Sequence, residues 1–396
     1  MPAPLAGIRV IEMGQLIAGP FAGQLLGAFG AEVIKIESPE GGDPLRRWRM
    51  LDEEGTSYWW RSIARNKQSV TLDLSKEPAR EIARHLIEKS DVLIENFRPG
   101  RMEAWGLGPD VFRESSPDLI YTRVSGYGQD GPYAAKPGFA SACEAAAGLR
   151  YLNGHPGEAP VRLNLSLGDT LAGMHAAFGA VLALLARERH GGGQSIDVSI
   201  LESVFHVMEG VLPEYDGAGV VREPSGTTVT GIVPTNTYRC KDGRFIVIGG
   251  NGDSIFKRLM SLIGRPDLAN DPGCADNAGR VRNEAKIDTA LAAWCRGLGS
   301  SDALESLDAA SVPAGPVNSI ADIAADEHFR ARGVFEKTRV NGAQRVLPGV
   351  HPKLDATPAR LRWPGPELGE HTDAVLRRVL GTDDETLAHW REHGVI

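Results

Sequence analysis

Asp169 stands in Ser166-Leu167-Gly168-Asp169, directly ahead of a run of alanine and leucine. A carboxylate at the start of a helix is kept ionised by the helix dipole and can attack a carbonyl as a nucleophile. Gly168 would leave room for a bulky acyl group, and a neighbouring backbone N–H could stabilise the oxyanion. The same residue also reads as a helix cap, and this segment alone leaves both readings open. A second cluster, Gly41-Gly42-Asp43-Pro44-Leu45-Arg46-Arg47-Trp48-Arg49, sets three arginines around a tryptophan. Guanidinium groups hold carboxylates or phosphates through paired hydrogen bonds, and the indole supplies an apolar wall. A solvated basic loop is the alternative. Trp59 and Trp60 add aromatic surface. Asn96-Phe97-Arg98-Pro99-Gly100-Arg101 joins a ring to two arginines, which suits base stacking and phosphate pairing, or a plain surface turn.

Other chemistries find less support. The loop Gly14-Gln15-Leu16-Ile17-Ala18-Gly19-Pro20 lacks the G-x-G-x-x-G spacing of a dinucleotide site, and Pro20 removes an N–H donor. Glu37 nevertheless ends the second strand where a ribose-binding acid would stand, and the loop suits another nucleotide-like ligand at the carboxyl edge of a sheet. His175 reads as a packed residue on an apolar helix face and His371 as a helix cap. The histidines are not read as a metal-ligand set, so no metal is expected. Cys143, Cys240, Cys274 and Cys295 form no C-x-x-C pair, which leaves disulfides and zinc unsupported. No G-x-S-x-G elbow occurs.

These residues need a frame. Residues 7–13 read as a buried strand, a helix follows and ends near Gly30, and 32–37 is a second strand. This βαβ theme recurs in 69–74, the helix 76–89, 91–96 and 119–128, and predicts a doubly wound α/β domain with a parallel sheet. Residues 165–187 read as one long helix, and 194–203 as a strand running into another. The composition shifts after residue 211 toward glycine, threonine and proline. A large domain is therefore expected over 1–210, completed by 340–396, with a smaller α+β domain over 225–335. The linkers fall at about 211–224 and 336–350. The smaller domain holds a hairpin turning at Asp242-Gly243 and helices over 253–263 and 281–297.

With 396 residues, a net charge of -8 and 42% hydrophobic residues, the composition is that of an ordinary globular protein. The acidic balance argues against a nucleic-acid partner. The N-terminus shows no signal-peptide pattern and no long uninterrupted apolar run occurs, so a cytoplasmic protein without a membrane partner is expected.

Taken in register, GQLIAGPFAGQLLGAFGAEVIKIE, GGDPLRRW, RNKQSVTLDL, DVLIENFRPG, VSGYGQDGPY, SLGD, GGGQSIDVSI, VPAGPV and LGEHTDAVL resemble the class III CoA-transferases, the family of formyl-CoA transferase and carnitine CoA-transferase. The resemblance implies a CoA thioester as substrate with no permanently bound cofactor, and Asp169 as the nucleophile that passes through an acyl anhydride and an aspartyl-CoA thioester. It implies CoA contacts from Gln15, Ile17, Ala18, Leu72, Asn96, Phe97 and Lys136, with Arg98 and Arg101 taking over phosphate contacts. It places Arg46, Arg47, Trp48, Trp59 and Phe139 around the acyl group. It also implies a homodimer of interlocked chains, each with a Rossmann-like large domain and a small one. Relatives often have an acid where Ala140 stands and a longer glycine loop near PSGTTVTGI, which argues against formate–oxalate exchange. GFASACEAAAGLRYLNG and IVIGGNGDSIFKRLM resemble the branch that uses succinyl-CoA with dicarboxylic acids such as itaconate, mesaconate, citramalate or malate. A 2-methylacyl-CoA racemase on the same fold would need a His-Asp pair where Gly138-Phe139-Ala140 stands. A CoA-binding protein without catalysis is the remaining alternative.

Overall fold

The computed structural model describes residues 1–396. The chain forms two compact units. The first comprises Met1–Leu149, Leu163–Glu209 and Arg330–Ile396. Its centre is a six-stranded sheet of β1 (Arg9–Glu12), β2 (Glu32–Glu37), β3 (Lys67–Thr71), β4 (Val92–Glu95), β5 (Ile120–Ser125) and β6 (Ser195–Ser199). All neighbours pair in parallel, in the order β3-β2-β1-β4-β5-β6.

Strand residues alternate between two cores, as the two-residue pleat demands. Val10, Val33, Val92 and Ile94 join one cluster with α1 (Ala18–Ala28). Ile11, Ile34 and Leu93 join the other with α2 (Glu77–Glu88). Helices thus cover both faces, which is why the strands read as continuous apolar runs. In α2 the buried residues Ala79, Ile82, Ala83, Leu86 and Ile87 follow the helical period.

Two further helices, α3 (Ala140–Ala146) and α4 (Leu167–His190), precede β6, and α5 (Ile200–Phe205) follows it. By length and composition α4 could cross a membrane. Here its small-residue face, including Ala172, Gly173, Ala176 and Ala180, is buried in the first core. A Cβ at Gly173 would stand 2.6 Å from the Ala18 carbonyl oxygen, so glycine lets α4 lie directly on the start of α1.

The second unit comprises Arg150–Arg162 and Gly210–Phe329. It holds the expected hairpin as β7 (Thr235–Arg239) and β8 (Phe245–Gly249), extended by β9 (Ala314–Pro316). Its core packs α6 (Asp253–Leu262), α7 (Glu284–Gly297) and α8 (Ser300–Ala309) against that sheet. Two boundaries differ from expectation. Residues 150–162 cluster with this unit, and 211–224 belong to it and begin with a helix, Val211–Ala218, rather than forming a bare linker.

A third difference lies at 336–350. This stretch is a hairpin of the first unit, β10 (Phe335–Val340) and β11 (Ala343–Pro348). Asn341-Gly342 turns it, with both φ values positive, the signature of a two-residue hairpin loop. The terminal segment then lies along the β3 edge. Asn66 Oδ1 accepts the Arg362 N–H at 2.7 Å, and Trp60 Nε1 donates to the Pro366 carbonyl at 3.0 Å. Two helices follow, α9 (Thr372–Leu380), where Thr372 Oγ1 accepts the Thr71 N–H, and α10 (Asp384–Glu392).

Candidate active site at the carboxyl edge of the sheet

Strand order reverses between β1 and β4, the switch point where sheets of this kind usually hold a ligand in a crevice between the loops that leave the two strands. Asn96 clasps the β1 loop across it. Its Oδ1 accepts the Gln15 N–H at 2.7 Å and its Nδ2 donates to the Gln15 carbonyl at 2.8 Å. The geometry therefore brings Gln15, Ile17, Ala18, Asn96 and Phe97 to one crevice. Gln15 is exposed, whereas the Ile17 and Ala18 side chains are buried, leaving their backbone to face a ligand.

The β1 loop rests on buried charges. Lys35 bridges Glu12 and Asp43, each at 3.1 Å, and donates to the Gly14 carbonyl. Lys67 bridges Glu12 at 2.7 Å and donates to the Pro20 carbonyl at 2.7 Å. Burial opposes the charge on Lys35, but Asp43, Glu12 and Glu37 outweigh it and hold its pKa above the ordinary lysine value. For Lys67 burial wins and lowers the pKa to about 8, with Glu12 resisting. None of these charges was singled out from the sequence as a supporting frame. The signal was present in lysines and carboxylates inside runs such as EVIKIE, because a lysine in a doubly covered strand needs a buried counter-charge.

Beyond Asn96 the crevice wall is aromatic. Phe97 meets Trp105 edge-on at 5.0 Å, and the Arg101 guanidinium lies 4.4 Å from the Trp105 ring centre. Arg98 is exposed beside them. Glu95 holds the turn by accepting the Phe97 N–H at 2.8 Å and Arg123 Nε at 3.1 Å, and Arg123 also reaches Glu103. Burial pushes the Glu95 carboxyl up to about 7 against the Phe97 N–H and Arg123. Its ordinary value is 4.5, so in that window the folded state holds a proton that the unfolded chain has released. Stability should therefore fall as pH rises through the window, by at most about 1.4 kcal/mol per pH unit. Glu95→Gln removes the titration. Urea unfolding at about pH 5 and about pH 7.5 should show the variant gaining on the wild type by about 1–3 kcal/mol; parallel stabilities at both values would refute the assignment.

Asp169 is the third residue of α4, not its cap. The cap comes from another element: Glu144 of α3, itself buried, accepts the Gly168 N–H at 2.9 Å. A Cβ at Gly168 would meet Ile200 and Glu144 at 3.0–3.2 Å. The space at Gly168 is thus filled by the protein, and room for an acyl group must lie elsewhere. Burial, together with the nearby Asp169 and Glu144 charges, raises the Cys143 thiol to about 11 despite its hydrogen bond with Tyr127. Asp169 stands one turn before the Gly173–Ala18 contact, about 6 Å along the helix, so α4 carries it toward the end of the β1 loop.

The remaining expected residues are placed as follows. Arg46 is not available to a substrate carboxylate. Its Nε and Nη2 bind the two Glu37 oxygens at 2.7 and 2.8 Å, Nη1 donates to Pro366, and the guanidinium stacks 3.8 Å from the Trp60 ring. The pair is buried, and it also removes Glu37 from any ribose-binding role. Arg47 and Trp48 are exposed, Trp48 lies 6.5 Å from Trp59, and Arg49 covers Trp59 at 4.3 Å. Leu72 packs its side chain into the second core, so only its backbone could meet a ligand. Lys136 is exposed over Tyr133 at 3.5 Å, and Phe139 is exposed at the start of α3. His175 is paired with His206, Nε2 to Nδ1 at 3.1 Å.

The chain is similar to known proteins along nearly its whole length. A succinyl-CoA–D-citramalate CoA-transferase of Chloroflexus aurantiacus is 41% identical over 100% of this chain and 98% of its own. The beta subunit of a succinyl-CoA–L-malate CoA-transferase of the same organism is 42% identical over 99% and 98%. A crystal structure of a CAIB/BAIF family protein from Brucella suis superposes with a TM-score of 0.85 at 32% identity, covering 96% of this chain and 100% of that one. CoA-transferase family III matches residues 5–372, which takes in the crevice, the Asp169 turn and the whole second unit. A parallel sheet open at its switch point, matched end to end in both sequence and shape, makes this chain an enzyme of CoA-transferase family III.

Proposed function

We propose that the enzyme moves CoA from succinyl-CoA to a C4–C5 dicarboxylic acid such as citramalate, malate, itaconate or mesaconate. The observation that carries this reading is full-length similarity to two transferases named for succinyl-CoA and a hydroxylated dicarboxylate. The placement of Asp169 supports the chemistry. Its carboxylate attacks the donor thioester carbonyl, the C–S bond breaks, and CoA thiolate leaves a mixed anhydride. The thiolate then attacks the aspartyl carbonyl, expelling the donor acid and forming an aspartyl-CoA thioester. The acceptor carboxylate displaces the thiolate to give a second anhydride, and the thiolate attacks its acyl carbon to release product and Asp169. No net proton is exchanged. CoA lies in the crevice between the β1 and β4 loops, and Gly138-Phe139-Ala140 offers no His-Asp pair for racemisation.

With Arg46 engaged by Glu37, Arg47 is the cation of GGDPLRRW left for the acceptor's second carboxylate. Mass spectrometry of acyl-CoA products should show succinate-type acids preferred over butyrate with succinyl-CoA as donor. Arg47→Met should lower turnover on dicarboxylates by roughly 5- to 100-fold and leave butyrate nearly unchanged. An equal loss on both acids would end this assignment, and a silent acid panel would end the substrate class.

A second copy of the chain belongs to the proposal. Met174, Phe178, Val181 and Leu185 line one outward face of α4 at helical spacing, all exposed. Covering that stripe with a partner chain buries it, and interlocked chains cannot part without partial unfolding. Sedimentation at nanomolar concentration should still show a dimer; a folded, active monomer would contradict it.

A further inference from the structure

The β1 loop contains a conformation its own sequence disfavours. Leu16 has φ +63°, the left-handed region that a leucine side chain resists. What holds it is Asp43. Both carboxylate oxygens lie 3.1 Å from the Leu16 N–H, and Asp43 is 1% exposed. Asp43 is itself fixed from three sides. Its N–H donates to Glu37 at 3.0 Å, its Oδ1 accepts the Leu45 N–H at 2.9 Å, and Lys35 pairs with its Oδ2. Lys35 in turn holds the Gly14 carbonyl, and Lys67 the Pro20 carbonyl. The backbone from Gly14 to Pro20 is thus pinned by side chains of β2, β3 and the turn before Pro44.

We infer that Asp43 is a positioning residue for the CoA-binding loop: it locks Leu16 left-handed, so that the Gln15–Ile17 backbone has its binding shape before CoA arrives. This rests on the reading of the β1–β4 crevice as the CoA site. A loop shaped in advance spares the ligand the cost of ordering it. Without Asp43, leucine returns to a right-handed or extended conformation and each binding event must restore the loop.

The test is calorimetric binding of CoA alone, together with steady-state kinetics. Asp43→Asn retains Oδ1 for Leu45, but it loses the charge and puts an N–H donor in place of Oδ2, the oxygen that faces the Leu16 N–H and Lys35. It should raise the Kd for CoA and the KM for succinyl-CoA by about 5- to 30-fold, the affinity equivalent of one left-handed non-glycine residue, while kcat stays within about threefold. Adding Leu16→Gly to Asp43→Asn should recover most of that loss, because glycine adopts positive φ without a Cβ penalty. A merely structural role for Asp43 predicts no such rescue. Leu16→Val, with Asp43 intact, should weaken CoA binding because a β-branched side chain tolerates this conformation worse; it serves if Asp43→Asn does not fold. An unchanged Kd in either folded variant, or a loss that Leu16→Gly does not repair, overturns the inference. Asn96→Ala and Gln15→Ala separate the two levels. If they weaken CoA binding and Asp43→Asn does not, the inference alone fails; if none of them does, the crevice is not the CoA site.

Discussion

Replacing Asp169 with Asn is expected to lower kcat for CoA transfer by roughly a thousandfold or more while leaving the fold intact, since the substitution removes the nucleophile of the proposed covalent steps. Folding should survive because the start of α4 is capped by Glu144 through Gly168, not by Asp169. The amide keeps the size of the acid and loses only its negative charge. Incubating the wild-type enzyme with succinyl-CoA and then hydroxylamine should convert Asp169 to a hydroxamate, seen as a mass shift on the peptide that contains it; the Asn variant should show none. Near-normal turnover by a folded Asn variant would rule out the aspartyl mechanism.

Arg46→Met should act on a different property. Removing the guanidinium strips the buried Glu37 carboxylate of its main ion-pair partner; burial opposes its charge, and Arg46, with Lys35 and Ser69, holds its pKa below the usual range. Breaking one side of such a pair costs about 3–5 kcal/mol, and here the Trp60 stacking and the Pro366 hydrogen bond go with it. Urea denaturation should show that loss, and every substrate should be affected alike through the folded fraction. Exchanging both partners, as Arg46→Met with Glu37→Leu, should recover part of the stability, because neither member of this pair is then left buried without the other. A folded Arg46→Met enzyme of normal stability that had lost only its dicarboxylate preference would return Arg46 to the substrate pocket.

Arg46 also shows where the sequence stops being informative. Its neighbours in GGDPLRRW are alike in composition, yet one arginine is buried and the next is exposed, because Glu37 at the end of β2, the Trp60 ring and the Pro366 carbonyl, 320 residues further on, all meet at Arg46. The parallel sheet was legible, since apolar strands of four to six residues alternating with amphipathic helices such as α2 admit few other arrangements. The crevice was legible as well, once the β1 and β4 loops were known to adjoin. Glu144 was not, because nothing local in SACEAAAG distinguishes a surface glutamate from one aimed at another helix. The β10–β11 hairpin carried a local sign in Asn341-Gly342, overlooked because the surrounding prolines suggested a linker.

The β3 edge of the sheet has a consequence for synthesis. Asn66 waits for Arg362, 296 residues further along the chain, and Trp60 and Arg46 wait for Pro366. At ordinary elongation speeds that interval is roughly 15–60 s. During it the ribosome has already released β1, β2 and β3 with their lysines and carboxylates, but the strip that seals them has not been made. A nascent chain therefore carries an open, charge-lined seam until its last few dozen residues emerge. Nonsense truncations just short of residue 360 should consequently be degraded rather than accumulate as partly active enzyme, even though Asp169 and both crevice loops would be present in full.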